Sequence, residues 1–271
     1  MIRKRRKPRT QNIDVHAYLE RIGLKQEQPS FAFLKKLIKH HLLAIPFENL
    51  DIHYGKKILL DYNAIYKKVV LQGRGGFCYE LNGLFFYLLQ KLGFTSTVLS
   101  AEVYNRKKSE FGRPFDHMFI AVKLDGALFL VDVGFGEGYT QPLKFDLKKS
   151  QVDFVSYWKT ERKNDDFFYL MRSQDNTSFE SVYRFKLNSR EIIEFIAMCD
   201  YHQVSENSSF KQQKLITILT TTGRKTLTDR KFVLDHLGKK EEISILNEDE
   251  FLSKLQEHFG ISYEMLYSIE N

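Results

Sequence analysis

No stretch of this 271-residue chain approaches the roughly 18 consecutive apolar residues of a membrane-spanning helix, and no apolar segment of signal-peptide type follows the basic start. The expectation is a soluble, intracellular, cytoplasmic protein. Cysteine is scarce as well. Two residues, Cys78 and Cys199, build no disulfide framework, and without a Cys/His cluster at ligand spacing they supply no metal site. Internal repeats and low-complexity segments are also missing. A reducing compartment fits, and it would keep a thiol available to react.

Positive charge is plentiful overall but nearly absent from the body. Of the net +7, six charges belong to Arg3, Lys4, Arg5, Arg6, Lys7 and Arg9, so the rest of the chain is close to neutral. Residues 1–11 therefore read as a solvated, disordered tail, and neither a nucleic-acid nor a membrane partner is expected. The composition is 43% hydrophobic and 14% aromatic, which excludes disorder throughout and supports a real core. The length allows about two domains, or one with a substantial appendage.

The hydrophobic period divides the chain. Asp14 caps a short helix, Pro29-Ser30 opens a second that runs to Pro46, and a third spans Asp61 to about Leu71, with Pro46-Phe47-Glu48-Asn49-Leu50 read as a compact turn. A fourth carries Leu81, Leu84, Phe85, Leu88, Leu89 and Leu92 at helical spacing and stops at Gly93. From Thr95 the period becomes 2. Strands are expected over Val98 to Tyr104, Met118 to Leu124, Ala127 to Val133, Phe154 to Trp158, Phe167 to Arg172 and Val182 to Leu187, which suggests a small barrel or curled sheet. Ile192 to Cys199 reads as a short helix. Tyr201 to Phe210 reads as a polar crossing segment and a domain boundary, with further strands and a final helix around Phe251 to Phe259 beyond it.

Cys78 lies at the mouth of the fourth helix, in Arg74-Gly75-Gly76-Phe77-Cys78-Tyr79-Glu80-Leu81-Asn82-Gly83. Unpaired N–H groups and the helix dipole favour an anion there, so its thiol is expected to ionise more readily than a free cysteine. The two glycines bring backbone donors close to whatever the sulfur attacks. Asp125-Gly126 between alternating runs is a hairpin turn, and it fixes a register. Pairing Leu124 with Ala127 sets Phe119 opposite Asp132 and His117 opposite Gly134. His117 and Asp132 then become diagonal neighbours about 7–8 Å apart on one face, within side-chain reach. A cysteine at a helix start, a histidine that meets an aspartate and nearby glycine donors make a Cys-His-Asp triad for acyl transfer or hydrolysis. The same order serves papain-like and transglutaminase-like enzymes acting on peptides, and a non-catalytic binding module could keep the fold.

The Arg74 to Gly83 run, preceded by Ile45-Pro46-Phe47-Glu48-Asn49-Leu50 and followed by His117 and Val131-Asp132-Val133-Gly134-Phe135-Gly136, closely resembles the arylamine N-acetyltransferases. The resemblance implies an α+β fold: an N-terminal helical bundle (1–94), a central β-barrel (95–200) and a C-terminal α/β lid (201–271), with a cysteine-protease-like Cys-His-Asp core. It implies acetyl-coenzyme A as donor, arylamines, arylhydroxylamines or hydrazines as acceptors, and Cys78, His117 and Asp132 as nucleophile, proton partner and orienting carboxylate. Phe47 and Phe135 would face the acceptor ring with Val103 behind, while Arg113, Pro114, Tyr201, Asn207 and Ser209 would touch coenzyme A. Glu48 and Arg74 would form a buried structural pair.

Overall fold

A computed structural model of the chain describes residues 13–154, 156–163 and 166–267. The basic tail, Arg3 to Arg9, lies outside the described residues. Asp14 accepts hydrogen bonds from His16 N and Ala17 N at the start of α1 (Val15–Arg21), and Ser30 Oγ accepts from Phe33 N at the start of α2 (Phe31–Ala44). Both helices end where the sequence places their stop signals. After β1 (Phe47–Glu48) and α3 (Leu50–His53), Asp61 caps α4 (Tyr62–Tyr66), whose continuation over Lys67–Leu71 widens into a π-helical turn. The long helix α5 (Cys78–Lys91) begins on Cys78 itself and buries most of its surface.

The segment Pro46 to Leu50 is not a simple turn. Phe47 and Glu48 form an edge strand that pairs antiparallel with β11 (Leu215–Leu219), more than 150 residues away, and bridges Gly76 on its other side. No local periodicity can reveal a two-residue strand whose partner is that remote. Through it the first part of the chain joins a five-stranded sheet of order β1, β11, β12 (Gly223–Thr228), β13 (Lys231–His236) and β14 (Lys239–Ser244). α8 (Glu248–Phe259) and α9 (Tyr263–Tyr267) pack Phe251, Leu255 and Leu266 against Leu50, Ile216, Leu227 and Phe232.

Among the described residues the second sheet has nine strands: β2 (Thr95–Asn105), β3 (Glu110–Phe111), β4 (His117–Leu124), β5 (Ala127–Val131), β6 (Leu143–Lys144), β7 (Gln151–Asp153), β8 (Ser156–Arg162), β9 (Phe168–Ser173) and β10 (Glu180–Phe185). Eight follow the order β6, β5, β4, β2, β10, β9, β8, β7, and β3 pairs with β2 off that path. Its two ends meet through side chains: the Gln151 amide accepts from Lys144 N and donates to Lys144 O, and Asp153 accepts from Thr140 N and Oγ1. The sheet therefore rolls into a nearly closed barrel around Leu99, Phe119, Leu130, Trp158, Leu170, Tyr183 and Phe185. The expected strand from Phe154 to Trp158 begins too early, because Phe154 turns the chain at φ 53° between β7 and β8.

The polar stretch from Tyr201 to Phe210 is largely helical rather than an extended crossing. A single 3₁₀ turn (Ile192–Phe195) leads into α6 (Ile196–Val204), which runs through Tyr201, and α7 (Ser209–Gln212) follows. Cys199 and His202 on α6 are buried, which explains why its polar exterior conceals a helix from a periodicity reading. Among the described residues no helix is long and apolar enough to cross a membrane.

Candidate active site

The hairpin register is the one the Asp-Gly turn dictates. Leu124 pairs with Ala127 and Ile120 with Val131, so alternate residues Met118, Ile120, Val122, Val131 and Val133 face the helices while Phe119, Ala121 and Leu130 face the barrel interior. His117, at the open end of β4, and Asp132, one residue beyond β5, are buried and hydrogen-bonded through His117 Nε2 and Asp132 Oδ2 at 2.7 Å. The other carboxylate oxygen accepts from Asn82 Nδ2 at 2.9 Å and from Gly134 N at 3.0 Å. A carboxylate so used is acceptor-only, so His117 carries its proton on Nε2 and keeps Nδ1 as a proton acceptor.

Cys78, His117, Phe47, Val103, Phe135 and Ser209 line one cavity of about 410 Å³, together with Asp116, Gly134, Gly136, Glu137, His202, Phe210, Leu215, Thr217 and Thr226. The structure thus brings six of the residues named from sequence around a single space. Of the other five, Asp132 is hydrogen-bonded to His117, Arg113 stacks its guanidinium over the Tyr201 ring at 4.4 Å, and Pro114 and Asn207 are exposed. These five do not line the cavity; Arg113, Pro114 and Tyr201 adjoin Asp116 and His202, which do. His117 is held edge-on by Phe135 at 5.0 Å and packs beside Tyr183 at 5.4 Å.

Two glycine-dependent contacts bring the layers this close. A Cβ on Gly134 would lie 2.8 Å from Cys78 Cα, and one on Gly75 would fall 2.0 Å from Pro46 O. Either side chain would force the post-aspartate loop or β1 away from the start of α5.

The expected easy ionisation of Cys78 is not what its surroundings favour in isolation. Burial pushes the thiol well up; a backbone hydrogen bond involving Met118 opposes this, and the nearby Asp116 and Asp132 charges add to it. Cys78 is only 2% exposed, and a lone thiolate there lacks the water that the helix-dipole argument takes for granted. A thiolate in this cavity needs a counter-charge, and an imidazolium at His117, which lines the same cavity, would supply one.

Behind α5 lies a buried ion cluster larger than the expected pair. Arg74 donates to Glu48 Oε1 through Nε (3.0 Å) and Nη2 (2.8 Å) and to Asp51 Oδ1 at 2.8 Å, while Lys68 Nζ reaches Asp51 at 2.8 Å and Glu80 at 2.9 Å. Glu80 also accepts from Phe77 N at 3.1 Å, which ties the cluster to the N-cap of the nucleophile's helix. Three carboxylates face two cations. Burial raises Glu80 to about 7, whereas Lys68 and Arg74 outweigh burial at Asp51 and lower it to about 2.

Sequence reasoning assigned no role to Asn82 or Tyr79, and both build the site. Asn82, four residues after Cys78 and on the same helix face, donates to Met118 O (2.6 Å) and Asp132 and accepts from Val133 N (2.9 Å). Tyr79 Oη donates to Phe115 O (2.8 Å) and Asp116 O (3.2 Å), fixing the loop that leads into His117. The i,i+4 spacing from Cys78 was the available signal for Asn82; nothing local pointed to Tyr79.

Comparison with known proteins gives the family. An N-acetyltransferase family model matches residues 30–266. The human protein named arylamine N-acetyltransferase 1 is 31% identical over 277 residues, covering 93% of this chain and 95% of its own length. The solved arylamine N-acetyltransferase of M. smegmatis superposes with a TM-score of 0.86 at 29% identity, over 95% of each chain. The Mycobacterium marinum enzyme, solved in complex with CoA, gives 0.85 at 26% identity over 93% of this chain and 94% of that one. Matches of this extent run through the helices, barrel and sheet alike, and the chain belongs to the arylamine N-acetyltransferase family.

Proposed function

We propose that this protein moves an acetyl group from acetyl-coenzyme A to the nitrogen of an arylamine, arylhydroxylamine or hydrazine by way of an acetyl-cysteine at Cys78. The observation that carries the reading is that Cys78 and the Asp132-bound His117 line one cavity in a chain of this family. Residues 1–94 supply the nucleophile, 95–200 the imidazole and carboxylate, and 201–271 the cover. Arg113, Pro114, Tyr201, Asn207 and Ser209 hold the donor at the mouth, and Phe47, Val103 and Phe135 hold the acceptor ring. A reducing cytoplasm keeps the thiol free.

The chemistry follows from the environment. His117 Nδ1 takes the Cys78 proton as the sulfur attacks the thioester carbonyl, so the thiolate exists only beside an imidazolium, and backbone N–H groups at the start of α5 receive the oxyanion. Coenzyme A leaves. The amine then attacks the acetyl-cysteine, His117 takes one proton from its nitrogen, and the Cys78 sulfur departs with the C–S electron pair. An arylamine arrives unprotonated at neutral pH, so one base suffices. A cavity of about 410 Å³ walled by Phe47, Phe135 and Phe210 fits a single aromatic ring and favours small acceptors over an extended peptide.

The test is an initial-rate study with acetyl-coenzyme A against a panel of anilines and hydrazines. Parallel double-reciprocal lines are the expected result. Peptide cleavage without acetyl transfer to any amine would contradict it.

A further inference from the structure

The cavity holds a second imidazole and carboxylate that the one-base scheme leaves unused. Asp116 and His202 line it together with Cys78 and His117. His202 Nδ1 bonds Ser208 Oγ at 2.9 Å, and Nε2 lies 3.3 Å from Asp116 Oδ1. Nε2 is buried and makes no hydrogen bond of good geometry, so it is a polar atom left incompletely paired at the cavity wall. Asp116 is the more open partner, its side chain 21% exposed against 7% for His202, so the carboxylate faces the space and the imidazole backs it.

Considerable structure is spent on holding this carboxylate. Phe115, immediately before it, adopts φ 66°, a left-handed conformation unfavourable for a bulky residue. Tyr79 Oη binds the carbonyls of both Phe115 and Asp116, and the Phe115 ring packs edge-on to Phe195 at 5.2 Å. Rings of Tyr79 (6.1 Å) and Phe210 (5.1 Å) flank His202. The nucleophile's own helix and α6 thus clamp Asp116 from two sides. The other acidic side chain on the cavity wall, Glu137, is 77% exposed and has Arg172 Nη1 at 4.0 Å.

Proton count gives the pair a task. A neutral arylamine must lose one proton on its way to the amide, and His117 takes it. An acceptor that arrives as an ammonium ion must lose two. We propose that Asp116 and His202 form a second proton-accepting pair that extends this cavity to basic amines, such as aralkylamines, that enter protonated. The inference rests on the acetyl-cysteine reading given above. In the step, the ammonium hydrogen-bonds Asp116 and its first proton passes to the Asp116/His202 pair. The free amine forms the C–N bond, His117 takes the second proton, and the C–S bond breaks with its electrons going to the Cys78 sulfur. The first proton then returns to solvent when the product leaves.

The test separates the half-reactions. Enzyme acetylated beforehand with acetyl-coenzyme A is mixed in single turnover with 4-methoxyaniline or with benzylamine at the same neutral pH, for the wild type, Asp116→Asn and His202→Gln. The wild type is expected to deacetylate with both amines. In each variant the ratio of the benzylamine to the methoxyaniline rate is expected to fall at least about tenfold, a modest share of what a positioned base contributes. An unchanged ratio in both variants, or wild-type acetyl-enzyme that reacts with methoxyaniline but not with benzylamine, would overturn the inference and leave the arylamine reading standing. Failure of the wild type to form any acetyl-enzyme would overturn both.

Discussion

Asn82 Nδ2 donates to Asp132 Oδ1 across 2.9 Å, and the same side chain accepts from Val133 N. One turn of α5 therefore carries both the nucleophile and the clamp that positions the carboxylate behind the imidazole. Because Asn82 is fully buried, its replacement leaves Met118 O, Val133 N and Asp132 short of partners at once. Asn82→Ala is expected to lower kcat/KM about a hundredfold through displacement of His117. It should also cost about 1–3 kcal/mol of stability from the unpaired groups. Single-turnover release of coenzyme A and urea unfolding measure the two separately, and loss of stability with an unaltered acylation rate would refute the positioning role.

Gly134 sets the distance between layers. A methyl group there sits 2.8 Å from Cys78 Cα and 2.7 Å from Asn82 Nδ2, both backed by buried structure. Gly134→Ala is expected to destabilise the fold by about 1–3 kcal/mol as the loop is driven off α5. Acetyl-enzyme formation should slow in parallel, because Asp132 lies two residues away. Near-wild-type acetylation in a folded Gly134→Ala protein would mean that the loop can relax without moving the triad.

Much of this was legible before any coordinates. The Asp14 and Ser30 caps, the Cys78 helix and the Asp125-Gly126 turn are local signals, and local signals decide those elements. The turn even carries His117 and Asp132 into reach, since a period of 2 propagates register along both strands. What stayed hidden depends on distant partners. Phe47 and Glu48 become a strand only because Thr217 and Ile216 lie alongside, and Tyr201 to Val204 remain helical because Cys199 and His202 find a buried face. The Cys78 environment failed for a related reason. A helix terminus is visible in sequence, but the depth at which tertiary packing buries it is not.

Glu80 gives the fold a pH signature. Its carboxyl is raised to about 7 by burial, opposed by Lys68 and reinforced by Asp51 and Glu48. A folded-state value above the unfolded one stabilises the protein fully below the unfolded value, near 4.3, and that contribution is lost as pH rises through about 7. Glu80→Gln keeps an oxygen for Phe77 N and removes the titration. The stability of the variant relative to wild type is therefore expected to improve from pH 5 to pH 8, as read by denaturant midpoints across that range. A constant difference would show that Glu80 does not titrate there.

Asp51 gives the opposite sign in the same cluster. Lys68 and Arg74 hold it near 2 despite burial, so its contribution is present above the unfolded value of about 3.9 and lost as pH falls through about 2. Asp51→Asn should destabilise the protein at neutral pH by about 3–5 kcal/mol, since it leaves buried cations short of charge. At pH 2 the difference from wild type should shrink. Equal destabilisation at both values would rule out the ion cluster as its source.

The central question is whether Cys78 carries the acetyl group. The most direct measurement is intact mass followed by peptide mapping after mixing the protein with acetyl-coenzyme A and no amine. A single added acetyl group located on Cys78, absent in Cys78→Ala and removed on addition of an aniline, is the predicted result. An unmodified Cys78, or an acetyl group that maps elsewhere and persists in Cys78→Ala, would contradict it.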